Sequence, residues 1–255
     1  MNLSIKRFLT HTRDYITRYI PIQFSTRSNI KVDLHNRSEI QLYQQIFVKD
    51  LFNIEKLIKT IPKDNPIVFD IGANCGFFSL RIIDKYPKAK IFAFEPQERL
   101  VKKFSDCIND NNLSGNIYLI KTALGKEEGT AIFYENRSPI SASLLKEKVS
   151  RRTIRKKYKI TLTTLDQFCF ENQISSIDIL KVDVEGSELD LLNGATKALH
   201  FVQVLYIEVH LPFSSAVAVE NILEKYDLFR NKELERVQAE EHDLVFTKKI
   251  VQKIS

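Results

Sequence analysis

Residues 68–76 read VFDIGANCG. An apolar run reaches a carboxylate at Asp70 and then turns at Gly72 and Gly76. That is the pattern of a buried strand passing into a helix through a glycine turn. From Ile67 onward the chain repeats it. IVFDI (67–71), KIFAFE (90–95), NIYLIKTAL (116–124), DILKVDV (178–184) and VQVLYIEVH (202–210) are apolar and strand-like, with a last strand near 243–248. Segments of helical period at 77–86, 97–112, 165–173, 187–199 and 215–227 stand among them. Strands alternating with helices of about 10–15 residues predict crossover units, an α/β fold and a largely parallel sheet. Ligands in such sheets sit beyond the carboxyl ends of the strands, where the strand order reverses.

The whole chain has 255 residues, 44% hydrophobic and 27% charged, which suits one α/β domain with an appendage. Residues 1–62 read as a helical extension and 63–255 as the main domain. Within the extension, residues 1–20 form a basic amphipathic pattern ended by Pro21. Such a segment is either an arm docked on the domain or a peripheral anchor on a membrane surface. A second helix is predicted over 38–60, from Ile40, Tyr43, Phe47, Leu51, Ile54, Leu57 and Ile58. No apolar run approaches the roughly 18 residues of a membrane span. There is no secretory pattern at the start, and Cys75, Cys107 and Cys169 show neither disulfide nor zinc spacing. A reducing, cytoplasmic setting is expected.

The net charge of +6 is local. KEKVSRRTIRKKYK (146–159) holds eight basic residues and one acid, leaving 30 basic against 31 acidic residues elsewhere. Strand-like TAIFY (130–134) and YKITLTTL (158–165) flank it, so the stretch sits in a β-hairpin insertion at about 130–160. One local anionic contact fits this better than a surface built for nucleic acid.

Three strand ends carry acid at one rim: Asp70, Glu95, and the pair Asp183 and Glu185. Unpaired buried carboxylates are costly, and a cationic or hydroxyl-rich ligand would give them partners. A dinucleotide fits poorly. Its pyrophosphate wants a G-x-G-x-x-G turn, whereas this turn reads GANCGFF, and Asp70 would oppose the phosphates. S-adenosylmethionine has the opposite charge, with a sulfonium and an ammonium to meet carboxylates and a ribose to meet Glu95.

These stretches resemble FkbM-type S-adenosylmethionine-dependent methyltransferases over about residues 67–210. VFDIGANCGFFS (68–79) is similar to their first motif and FAFEP (92–96) to their ribose motif. IKTALGKEEGTAIFY (120–134), ITLTTLDQF (160–168), IDILKVDVEGSELDLLNGA (177–195) and LYIEVH (205–210) extend the match. The resemblance implies a Rossmann-like class I methyltransferase fold. That fold has a mostly parallel seven-stranded sheet with helices on both faces, to which the residue patterns add a β-hairpin insertion and N-terminal helices; the resemblance covers neither the basic insertion nor the N-terminal 60 residues. It implies that Asp70, Gly72, Asn74 and Gly76 surround the methionine part of the cofactor. By the same implication Glu95 takes the ribose, Ala123 lies along the adenine, and Asp183 and Glu185 line the site near the methyl group. O-methylation of hydroxyls on sugars, glycolipids or secondary metabolites is the implied activity.

A hydroxyl needs a base, and the candidates are Asp183, Glu185 and His210, the last ending the fifth strand at the same rim. Two plainer roles stand beside these. Glu185 would complement the N-terminus of a helix starting near Ser187, and His210 would bond a neighbouring loop. A divalent metal held by Asp183, Glu185, Glu208 and His210 is chemically allowed, but the spacing does not demand it. Arg151, Arg152 and Arg155 could clamp an anionic group on the acceptor. The competing functions are an RNA methyltransferase and a non-catalytic S-adenosylmethionine-binding module.

Overall fold

The computed structural model describes residues 22–50, 52–136, 142–145, 154–211, 213–235 and 243–248. The helix expected at 1–20, and Arg151 and Arg152 of the basic stretch, lie outside the described residues.

The described part of the extension is not wholly helical. It opens with an antiparallel hairpin, β1 (Ile22–Ser25) against β2 (Lys31–Leu34). The single helix expected over 38–60 is instead α1 (Arg37–Tyr43), a π-helical turn (Gln44–Val48) and α2 (Ile54–Lys59). The cause lies at Asp50 and Asn53, both with positive φ (46° and 51°). The Asp50 carboxylate accepts hydrogen bonds from Ile54 N and Glu55 N at 2.9 and 3.0 Å. It thereby starts a new helix where the apolar period alone would have continued the old one.

The main domain follows as β3 (Ile67–Ile71), α3 (Phe77–Lys85), β4 (Lys90–Phe94), α4 (Glu98–Asp110) and β5 (Ile117–Ile120). Next come β6 (Ala123–Leu124), β7 (Gly129–Asn136), β8 (Ala142–Ser143), β9 (Ile154–Thr163) and α5 (Leu165–Glu171). The last elements are β10 (Ile177–Val182), α6 (Glu188–Asn193), β11 (Val202–Glu208), α7 (Ala216–Leu223), β12 (Leu228–Arg230) and β13 (Asp243–Lys248).

Seven strands form one sheet in the order β12-β13-β11-β10-β3-β4-β5. The five from β11 to β5 run parallel, and β13 is antiparallel to both of its neighbours. Strand order reverses between β3 and β10, so the glycine turn after β3 stands at the crevice. The strand expected over 116–124 breaks at Lys121 and Thr122. Its end joins a second sheet, β6-β9-β7-β8, in which the insertion's long hairpin pairs Thr130–Glu135 with Lys156–Thr161.

Alternate residues of the central strands feed two cores. Val68, Ile91, Ala93 and Ile179 pack with α3 and α4. Phe69, Phe92, Phe94 and Leu180 pack on the opposite face with α5, α6 and α7. Val32, Leu34, Ile54 and Leu57 of the extension are buried in the first core, so the extension completes the domain rather than hanging from it.

Candidate active site

Asp70 and Lys181 face each other across the β3–β10 pairing, in register and on the same face of the sheet. Asp70 is wholly buried. Its Oδ2 accepts a hydrogen bond from Ser79 Oγ at 2.7 Å, and its Oδ1 lies 3.2 Å from Lys181 Nζ. The second contact is an ion pair without well-directed hydrogen-bond geometry. Lys181 Nζ also donates to Gly72 O at 2.7 Å. Burial would lower the Lys181 pKa, but the charges of Asp70 and Asp183 outweigh it and hold the ammonium above its ordinary value. Asp70 therefore braces the turn from below. The charge argument for a cationic ligand passes to the acids that do face the cavity.

The turn is a close approach of two chain segments. At Gly72, φ is 75°, and a Cβ would stand 1.8 Å from Asp183 O. At Gly76, φ is 78°, and a Cβ would meet the Phe104 ring at 2.1 Å. Neither position can carry a side chain as the chain is folded. Asn74 is also left-handed, and its N–H donates to Glu95 Oε2 at 2.9 Å. Glu95 Oε1 accepts from Gln97 N at 2.8 Å. Burial pushes the Glu95 carboxyl up to about 7 despite these two donors. Cys75, inside the turn, is buried, and its thiol is pushed up to about 12, which leaves it unreactive.

Above the turn lies a cavity lined by Gly72, Asn74, Glu95, Ala123 and Asp183, with Ile71, Phe94, Leu100, Leu124, Phe133 and Leu144 as its apolar wall. Phe133 and Leu144 come from the insertion, and Ser143 Oγ ties that segment to the rim by donating to Glu185 O at 2.8 Å. The donor set fits S-adenosylmethionine: an apolar slot for a base, a buried carboxylate able to accept more hydrogen bonds, and glycine backbone with no side chain in the way.

His210 joins the rim. Its Nδ1 is 2.8 Å from Glu188 Oε1, and its Nε2 lies 3.5 Å from Glu185, 3.6 Å from Glu208 and 4.0 Å from Asp183. Glu188, at the start of α6, is fully buried and also accepts from Ser214 Oγ at 2.5 Å and Gly186 N at 2.8 Å. Burial would raise its pKa, but the hydrogen bonds from His210, Ser214 and Gly186 outweigh it and lower the value. The helix-start contact expected of Glu185 is thus made by Glu188, which reaches back to Gly186 N. Glu185 has positive φ (55°) and turns its carboxylate toward His210. Glu208 is pushed up to about 8, first by the charge of Asp183, then by burial and by Asp243. Asp183, Glu185 and His210 each offer a ligand atom within 4.8 Å of the others, an arrangement a divalent ion could use.

The tertiary structure brings Gly72, Asn74, Glu95, Ala123, Asp183 and Glu185 around one cavity, with His210 against the two rim acids. Gly76 shapes the turn, and Asp70 supports it from beneath. Arg155 is well exposed and pairs with Glu135 across the hairpin at 3.7 Å, lining neither cavity of the rim. Sequence reasoning missed Lys181 and Glu188. Lys181 had a signal: a lone lysine within a buried strand must find a carboxylate, and Asp70 is its register partner. Glu188 had none, because its partner is set by a loop crossing.

The family model described as "Methyltransferase FkbM domain" matches residues 70–230. Methyltransferase sdnD of Sordaria araneosa is 29% identical over 220 residues, covering 75% of this chain and 83% of that protein. The 2-O-methyltransferase NoeI of Sinorhizobium fredii is 26% identical, over 60% of this chain and 67% of its own. The hexuronic acid methyltransferase AglP of Haloferax volcanii is 25% identical, over 68% and 70% respectively.

Proposed function

The chain belongs to the FkbM methyltransferase family, and we propose that it O-methylates a hydroxyl of a sugar, glycolipid or secondary metabolite. S-adenosylmethionine is the cofactor. One observation carries the finer reading. The cofactor cavity shares Gly72, Asn74, Asp183 and Glu185 with a second cavity, and His210 is held against that shared wall. Two relatives support it by name: NoeI is a 2-O-methyltransferase, and AglP is a hexuronic acid methyltransferase.

When bound, the cofactor supplies a methyl carbon on a positive sulfur, and its transfer breaks the carbon–sulfur bond with the electron pair leaving on sulfur. In this reading Gly72 and Asn74 hold the methionine part, Glu95 the ribose hydroxyls, and Ala123 with the apolar wall the base. Asp183 and Glu185 favour positive charge at the rim. His210 lines neither cavity but stands 3.5 Å from Glu185, which lines both, and in this reading it takes the hydroxyl proton. With Nδ1–H donated to Glu188, it accepts at Nε2, and Glu185 and Asp183 stabilise the imidazolium that results.

The test is a labelled-methyl screen over glycans, glycolipids and phosphorylated metabolites, with Asp183→Ala and His210→Ala as controls and EDTA in a parallel series. Label in a hydroxyl methyl ether, lost in both variants, is the expected result. Label in RNA would favour the competing enzyme. Calorimetry showing no binding of S-adenosylmethionine would overturn the reading altogether. Loss of activity in EDTA alone would assign the rim to a metal-assisted version of the same transfer.

A further inference from the structure

The second cavity lies between the extension and the rim, with a volume of about 270 Å³. Ligand pockets run from ~300 Å³ upward, so this one suits a single ring rather than a long chain. One wall is apolar, from Leu42, Ile46, Phe52, Phe77 and Phe78; the other carries Asp183, Glu185 and Glu208 with Lys181 among them, and Gln45 lies on the extension's side. Leu42, Gln45, Ile46 and Phe52 all precede residue 70, where the family match begins. Gln45 and Ile46 sit in the π-helical turn, closed by Lys49 N donating to Gln44 O at 2.9 Å. Turns of this kind are rare and recur at functional sites.

Resting on the reading above, we propose that this cavity is the acceptor subsite and that it selects an uncharged pyranose over its uronic acid. Two properties of the walls carry this. A pyranose has an apolar C–H face and a hydroxyl edge, and the cavity offers an aromatic and aliphatic side opposite a polar one. The polar side is also negatively charged. Asp183 and Glu185 stand there; Lys181 also lines the cavity, 3.7 Å from Asp183, but its single charge is matched by the buried Asp70 at 3.2 Å, so the acids remain in excess. A carboxylate on the acceptor ring would add like charge at close range, whereas hydroxyl groups can donate to all three acids. This departs from the sequence-based expectation of an anionic acceptor clamped by Arg151, Arg152 and Arg155.

The test is ligand-observed NMR on the full chain saturated with S-adenosylhomocysteine. The probes are methyl glycosides of glucose, galactose, mannose and their uronic acids, with Phe52→Ala and Gln45→Ala as variants. The expected result is saturation transfer to at least one neutral glycoside, with its uronic acid bound at least tenfold more weakly. Both variants should weaken the neutral glycoside at least fivefold while holding S-adenosylhomocysteine as tightly as the parent. Uronic acids bound as well as their neutral counterparts, no glycoside bound, or both variants binding like the parent would each overturn the proposal. Failure to bind S-adenosylhomocysteine would overturn it together with the methyltransferase reading, whereas cofactor binding with no glycoside bound would overturn the subsite alone.

Discussion

Glu188 is fully buried, yet its carboxylate meets His210 Nδ1 at 2.8 Å and so fixes which ring nitrogen turns toward the acid rim. A charged carboxylate is tolerable at such depth only when it is fully hydrogen-bonded, and His210, Ser214 and Gly186 supply the three donors.

Glu188→Gln keeps the shape but removes the charge and offers N–H where an acceptor is needed. Methyl transfer should fall roughly 10–100-fold in kcat, with cofactor affinity unchanged. Because the folded-state pKa is lowered, the wild-type carboxylate stabilises the fold above its unfolded value of 4.5, and that contribution is lost as pH falls through the lower folded value. Thermal midpoints of the two proteins should therefore lie far apart at pH 7 and draw together as pH falls below 4.5. A gap independent of pH would show that the carboxylate's charge is not what matters.

Lys181→Met leaves Asp70 as an uncompensated buried charge, at a cost of about 3–5 kcal/mol. Adding Asp70→Asn should restore much of the loss, since the neutral amide can still meet Ser79. Denaturant unfolding of both single variants and the double variant gives the coupling. Strict additivity would mean that the pair does not hold the turn.

Gly72→Ala must displace the Asp183 carbonyl, 1.8 Å from the new Cβ. It should cost at least ~2 kcal/mol and abolish measurable cofactor binding. Gly115→Ala, where nothing lies within 4 Å of the new atom, is the control and should be within about 0.5 kcal/mol of the parent. Equal effects at the two sites would show that the approach of β3 and β10 is looser than described.

Glu95 is pushed up to about 7, so without ligand it is partly protonated at neutral pH. Its folded pKa lies above the unfolded one, so the protein without ligand loses stability as pH rises from 4.5 through about 7. Ribose hydroxyls donating to the carboxylate favour the ionised form. Cofactor affinity should accordingly rise between pH 6 and 8, and Glu95→Gln should bind more weakly with no such slope. Calorimetric titrations at several pH values check both; a flat wild-type profile would remove Glu95 from the ribose role.

Legibility followed the range of the interactions involved. The strands around Phe69, Phe92 and Leu180 were readable because residues buried on both faces leave continuous apolar runs. Glu95 could be placed because it ends its own strand. Helix ends were less secure. The break at Asp50 depends on a side chain turning back onto Ile54 N, a choice the apolar period does not record. Asp70 was read as facing a ligand because its neighbour across the sheet, Lys181, lies 111 positions further along the chain and only strand order pairs them.

By itself the sequence determined the α/β alternation, the glycine turn, the insertion hairpin and the family, because local periodicity, turn chemistry and motif spacing are carried by neighbours along the chain. Tertiary structure alone decided that Asp70 supports while Asp183 and Glu185 face the cavity, that Glu188 orients His210, and that the extension walls the second cavity. The reason is physical: the role of a charge depends on what surrounds it, and here the partners come from strands and loops far apart in sequence.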